Sequence, residues 1–157
     1  MSKITPFLWF DNNGEEAMNF YVSTFKNSRV LKVARFGKKE DVPGGEVWIG
    51  TFVLDGQEFC ALNGGPHYKI CPGVSFYVKC ETQAEVDDLW SKLAAGGKPQ
   101  GCGWLEDKFG VTWQIIPTVL TAMLQDKDLA KAGRVRLAML KMMKIDIPAL
   151  EAAYAGK

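Results

Sequence analysis

The chain's only histidine, His67, closes the run Leu54–Tyr68 (LDGQEFCALNGGPHY), with Glu58 upstream in the same stretch. Imidazole is the one side chain whose ordinary pKa lies near neutrality, so proton transfer would fall first to His67. Such work needs the group within about 3 Å of the proton it moves. His67 follows Asn63-Gly64-Gly65-Pro66, where paired glycines let the backbone bend and approach another group, and proline stiffens the exit. The spacing predicts a loop at the rim of a small-molecule site. Cys60, Cys71, Cys80 and Cys102 form no C-x-x-C pair, which argues against a zinc knuckle or a redox motif and predicts four reduced thiols. No paired nucleophile and base stand out, so no catalytic residue is assigned.

The elements that must carry these residues follow from periodicity. Asp55-Gly56 between two apolar runs predicts a tight hairpin joining strands 46–54 and 57–62. Before it, 4–10 reads as a buried strand, Asn12 or Asn13 as a helix cap, and Met18, Tyr21, Val22 and Phe25 as one helical stripe. Residues 28–36 read as a strand and 37–45 as a charged loop. A second round then begins: strand 73–79, a capping box at Thr82 and Glu85, and the stripe Val86, Leu89, Trp90 and Leu93. Strands 100–105 and 111–116 follow around Phe109-Gly110. A fixed shift lays the second stripe over the first at all four places and brings the strand phases into match. The pattern is therefore β-α-β-β-β written twice, the second copy missing or shortening one strand. From Thr118 the chain reads as helical, with Asp126 or Asp128 and then Asp146 as caps, and Val135, Met139, Leu140 and Met143 as an apolar face.

The expectation is one α+β domain over 1–157, with repeat one about 3–63, repeat two about 72–117 and a helical tail about 118–157. An apolar content of 47% is adequate for a core without staples, and 19 basic against 18 acidic residues set up no field for nucleic acid. Arg134, Arg136, Lys141 and Lys144 read as a solvated face. No leader precedes Ile4 and no apolar run approaches the ~18 residues of a membrane span, so a cytoplasmic protein is expected.

Several segments carry a family resemblance. Phe7-Leu8-Trp9-Phe10-Asp11, Glu15-Glu16-Ala17-Met18 and Phe20-Tyr21 resemble the PhnB-like branch of the vicinal oxygen chelate superfamily, which includes glyoxalase I, extradiol dioxygenases and bleomycin resistance proteins. So do Asp55-Gly56-Gln57-Glu58-Phe59, Ala61-Leu62-Asn63-Gly64-Gly65-Pro66, Cys102-Gly103-Trp104, Asp107-Lys108-Phe109-Gly110 and Trp113-Gln114. Within that branch the chain is similar, over essentially its whole length, to the 3-demethylubiquinone-9 3-methyltransferase domain family. The resemblance implies a U-shaped mixed sheet, glyoxalase-like, closing round a ligand cup, and a homodimer.

In metal-using relatives four ligands line the cup. The resemblance puts those positions on or beside Thr5, Ala61, Gly73 and Gln114, a set with one amide and neither imidazole nor carboxylate, so no metal is expected. A strand, a glycine turn and a helix in that order would mark a nucleotide-type cofactor site. Here Gly64-Gly65 precedes a proline and a strand, and no cofactor is expected. Strand alternation then points Thr5, Phe7, Trp9, Ser75 and Tyr77 into the cup, with Phe59, Ala61 and Gln114 from the closing strands. Trp48, Trp104, Asn63 and His67 complete the candidate ligand-binding set. An aromatic cavity with a few polar handles suits a flat or partly apolar small molecule. The expected function is small-molecule binding, antibiotic sequestration being one use. The alternatives are the methyl transfer of the family's name, a glyoxalase-like isomerisation with His67 or Glu58 as base, and a scaffold dimerising through the tail.

Overall fold

The computed structural model describes residues 3–36 and 47–157. These fall into two compact units, Met1–Ile70 and Cys71–Lys157. The expected charged loop at 37–45 lies outside the described residues.

The first unit runs β1 (Phe7–Phe10), α1 (Gly14–Thr24), β2 (Arg29–Phe36), β3 (Val47–Leu54) and β4 (Gln57–Asn63), in the sheet order β1-β4-β3-β2. β1 is parallel to β4, and the other pairs are antiparallel. The β3–β4 hairpin closes where Asp55 and Gly56 both take positive φ, 45° and 83°, the geometry that a two-residue turn requires. The first strand is shorter than its apolar run suggested. Pro6 offers no amide, although its carbonyl accepts from the Cys60 N–H at 2.9 Å, and Ile4 stays 81% exposed. Met18 and Tyr21 of the α1 stripe are buried as the periodicity predicts, with Val22 and Phe25 half-buried.

The second unit repeats the plan. β5 (Phe76–Cys80), α2 (Gln83–Leu93), β6 (Lys98–Pro99), β7 (Trp104–Glu106) and β8 (Thr112–Pro117) assemble in the order β5-β8-β7-β6, with β5 parallel to β8. The shortened strand expected here is β6, a two-residue piece. Thr82 Oγ1 accepts the Glu85 N–H at 3.2 Å, and Glu85 Oε2 accepts from the Glu81 N–H at 2.8 Å, one residue further back than a reciprocal capping box would place it. Val86, Leu89 and Leu93 are buried beneath α2.

The tail forms α3 (Thr118–Leu124), α4 (Leu129–Met139) and α5 (Ile147–Ala155). Asp128 caps α4, and Asp146 caps α5 with proline in the first turn. Ile116, Leu120, Val135, Ile145 and Leu150 make its core, with Met139 and Met142 packed against them. Leu140 and Met143, expected on the same apolar face, are 60% and 53% exposed. Among the described residues no helix is long and apolar enough to cross a membrane.

Candidate functional site

Strand register decides which side chains each sheet leaves uncovered by its own helix. In the first unit Leu8 stands opposite Ala61, and Phe10 opposite Asn63. Gly50 pairs with Ala61 and Phe52 with Phe59. Partners in a ladder share a face, so Leu8, Phe10, Trp48, Gly50, Phe52, Phe59 and Ala61 all lie together. All are buried, and a Cβ on Gly50 would meet the Met18 Sδ of α1 at 2.8 Å. This is the face that α1 covers. Phe59 and Ala61 therefore point away from the face expected of them, and Trp48, at 2% exposure, belongs to the core beneath α1. The cause is the parallel β1–β4 pairing, since a one-residue slip in assumed register turns a whole strand over.

The opposite face of the first sheet carries Phe7 and Trp9 with Ile49, Thr51, Cys60 and Leu62, which the sequence reading missed. Phe7 is 57% exposed and the others are half-buried. Thr5, half-buried, precedes β1 in the same alternation.

Asn63 and the glycine loop have structural work. Asn63 Oδ1 accepts the Gly14 N–H at 2.7 Å, and its Nδ2 donates to the Asn12 carbonyl at 3.2 Å. The side chain thus tethers the start of α1, where Asn13 makes no side-chain cap. Trp9 Nε1 donates to the Gly65 carbonyl at 2.9 Å, and a Cβ at Gly64 would lie 2.3 Å from the indole. Gly64 is glycine because Trp9 lies against it. His67 is exposed in this loop, and Tyr68 meets Trp9 edge-on with ring centroids 5.0 Å apart.

In the second unit Tyr77 pairs with Gln114, and Gln114 with Trp104. Gln114 Nε2 donates to Ser75 Oγ at 2.8 Å. Ser75, Tyr77, Trp104 and Gln114 are thereby brought to one face, opposite the Phe76, Trp113 and Ile115 side. Tyr77 is 48% exposed and the other three are half-buried. The tail adds a contact no strand pattern could signal, a 2.9 Å hydrogen bond shared by Tyr77 Oη and Thr121 Oγ1 of α3. Nearby, the buried Asp107 carboxylate accepts from the Phe109 and Val111 amides and from Trp113 Nε1 at 2.8–3.0 Å, which fixes the β7–β8 turn.

The implied metal positions hold a hydroxyl, a methyl, a hydrogen and an amide: Thr5, Ala61, Gly73 and Gln114. Ala61 lies on the helix-covered face and Gly73 has no side chain, which leaves one hydroxyl and one carboxamide oxygen. Such a set does not fit a divalent ion, and among the described residues no three His, Cys, Asp or Glu side chains are grouped to hold one. Nor does the glycine stretch fit a nucleotide-type cofactor loop. It opens no helix N-terminus, and the Trp9 indole packs against Gly64.

One β-α-β-β-β unit written twice, with identical strand order in both sheets, places the protein in the glyoxalase-like class of α+β folds. More narrowly, the chain belongs to the 3-demethylubiquinone-9 3-methyltransferase family, the PhnB-like branch, whose model matches residues 2–116. The PhnB protein from Bacillus cereus is 39% identical, with a TM-score of 0.64 over 72% of this chain and 97% of that one. A protein from Pseudomonas aeruginosa, 24% identical, shares the fold with a TM-score of 0.61 over 72% of this chain and 95% of its own. No curated protein matches. The family match ends at Ile116, so α3–α5 lie beyond it and the expected whole-length resemblance stops at the second repeat.

Proposed function

We propose that this protein binds a flat, partly apolar small molecule on the face of its second sheet away from α2, beside α3, and does so without a metal ion. The observation that carries the reading is the grouping of Ser75, Tyr77, Trp104 and Gln114 on the face away from α2. Two aromatic rings supply apolar area and an indole N–H, and the Gln114 carboxamide oxygen, not used in the bond from Nε2 to Ser75, can accept a hydrogen bond. Thr5, Phe7 and Trp9 offer a similar mix on the face of the first sheet away from α1. Binding of this kind needs no nucleophile or base. The test is tryptophan fluorescence titrated with quinones, flavonoids and glycopeptide drugs: saturable quenching by at least one supports the reading, and none by any of them defeats it.

A second reading, methyl transfer to a quinone precursor, is favoured by the family match over residues 2–116. Calorimetry with S-adenosylmethionine decides it, since micromolar binding would establish a methyl-donor site.

A further inference from the structure

Both aromatic rings of the second-sheet face are held from the tail. Tyr77 of β5 is 48% exposed, and its hydroxyl is engaged with Thr121 Oγ1 of α3 at 2.9 Å. One turn earlier, Thr118 Oγ1 donates to Glu81 Oε2 at 2.9 Å, just past the end of β5. Residues three apart share a side of a helix, so the two hydroxyls fix α3 to β5 at two points. Trp104 is fixed through its backbone. Cys102 and Gly103, at φ 61° and 81°, are two successive left-handed residues that turn the chain into β7. Their amides donate to successive tail carbonyls, Cys102 to Met142 at 2.7 Å and Gly103 to Met143 at 2.8 Å. A Cβ on Gly103 would lie 2.9 Å from the Ile115 carbonyl and 3.0 Å from Ile145 Cγ1, so the turn is clasped between β8 and the tail. The clasping segment is itself anchored on α2. Gln83 Nε2 donates to the Ile145 carbonyl at 3.1 Å, Gln83 Oε1 accepts the Ile147 N–H at 2.7 Å, and Lys144 pairs with Asp87.

We infer that the tail sets the affinity of the second-sheet site, Thr121 being a positioning residue for the Tyr77 ring and the Met142 and Met143 carbonyls positioning Trp104. This rests on the binding reading of that face and adds what governs it. A half-exposed tyrosine with a free hydroxyl would sample several rotamers, and ordering it on binding would cost affinity. Thr121 orders the ring beforehand. The Tyr77 hydroxyl then orients its own ring, leaving a bound molecule the ring's apolar area. Cys102 takes a conformation that residues with side chains rarely adopt, and the Met142 carbonyl holds its amide there. Thr121, Met142 and Met143 all lie beyond the region that the family model matches, so the part of the chain outside the shared fold shapes the site within it.

The experiment is nuclear magnetic resonance of the full chain titrated with duroquinone, quercetin and vancomycin, one probe from each class of the panel. Thr121→Val, which keeps the shape and removes the hydroxyl, is expected to weaken the best of the three about three- to tenfold, and Thr121→Ser to restore wild-type affinity. Tyr77→Phe should lose the same factor, and adding Thr121→Val to it should lose no more. Tyr154→Phe removes the bond from α5 to Asp126 and loosens the tail away from the sheet, so affinity should not change. Without ligand, Gln83→Leu should move the Trp104 indole N–H resonance, assigned by Trp104→Phe, and leave that of buried Trp48 in place. A wild type that binds none of the three probes defeats the binding reading, and this inference falls with it. A wild type that binds while Thr121→Val binds as tightly, or an equal loss in Tyr154→Phe, overturns this inference alone. An unmoved Trp104 resonance in Gln83→Leu does the same.

Discussion

Asn63 and Gly14, 49 residues apart, meet through a 2.7 Å hydrogen bond from the Gly14 amide to the Asn63 carboxamide oxygen. A side chain on a closing strand thus satisfies one of the orphan donors that every helix start leaves. Asn63→Ala is expected to cost about 0.5–2 kcal/mol, the usual range for a lost N-cap. Asn63→Asp keeps the acceptor and adds charge at the positive helix end but sets an oxygen against the Asn12 carbonyl, so it should recover only part of that loss. Urea midpoints of the two variants check the order. Neither should alter small-molecule binding at the second sheet.

Asp107 holds the β7–β8 turn by accepting three N–H donors, among them the indole of buried Trp113. Asp107→Ala leaves those donors without partners in a site closed to water, at a cost of at least about 3 kcal/mol. Asp107→Asn can keep the two amide bonds on one oxygen but turns an NH₂ toward Trp113 Nε1, donor against donor. Its unfolding midpoint should fall between wild type and Asp107→Ala.

Burial pushes the Cys80 thiol up to about 12 from 9.0, with Glu85 and Glu81 adding to the shift. The folded protein therefore keeps a proton that the unfolded chain releases above pH 9, and stability is lost as pH rises through that window. The slope attributable to this group is about 1.4 kcal/mol per pH unit. Stability of wild type and Cys80→Ala, compared from pH 8 to 10.5, should show a steeper alkaline fall in the wild type. At pH 8 iodoacetamide should modify exposed Cys71 well before Cys80, and mass spectrometry reads the order directly.

The duplication was open to a reader of the sequence because it rests on local signals. The stripe at Met18 and Tyr21 recurs at Val86 and Leu89, Asp55-Gly56 can make only a tight turn, and Thr82 announces a helix. The phases of β1 and β5 were also readable, since Leu8 and Phe10, like Phe76 and Val78, face their helices. What stayed hidden depends on pairing at a distance. The face of Phe59 and Ala61 is set by parallel contact with β1, and nothing within β4 specifies it. Asn63 read as a polar handle because its partner, Gly14, lies far off in the chain. Thr121 reaches Tyr77 only once the tail has folded back.

The central claim, that the face bearing Ser75, Tyr77, Trp104 and Gln114 takes a small molecule, is tested most directly by backbone amide shifts. Isotope-labelled protein is titrated with the quinone, flavonoid and glycopeptide panel. Saturable shifts are expected at these four residues, with little change at buried Trp48, Phe59 and Ala61, and Gln114→Ala should weaken the best binder about five- to tenfold. Shifts confined to the His67 loop, or none at any concentration, would contradict it.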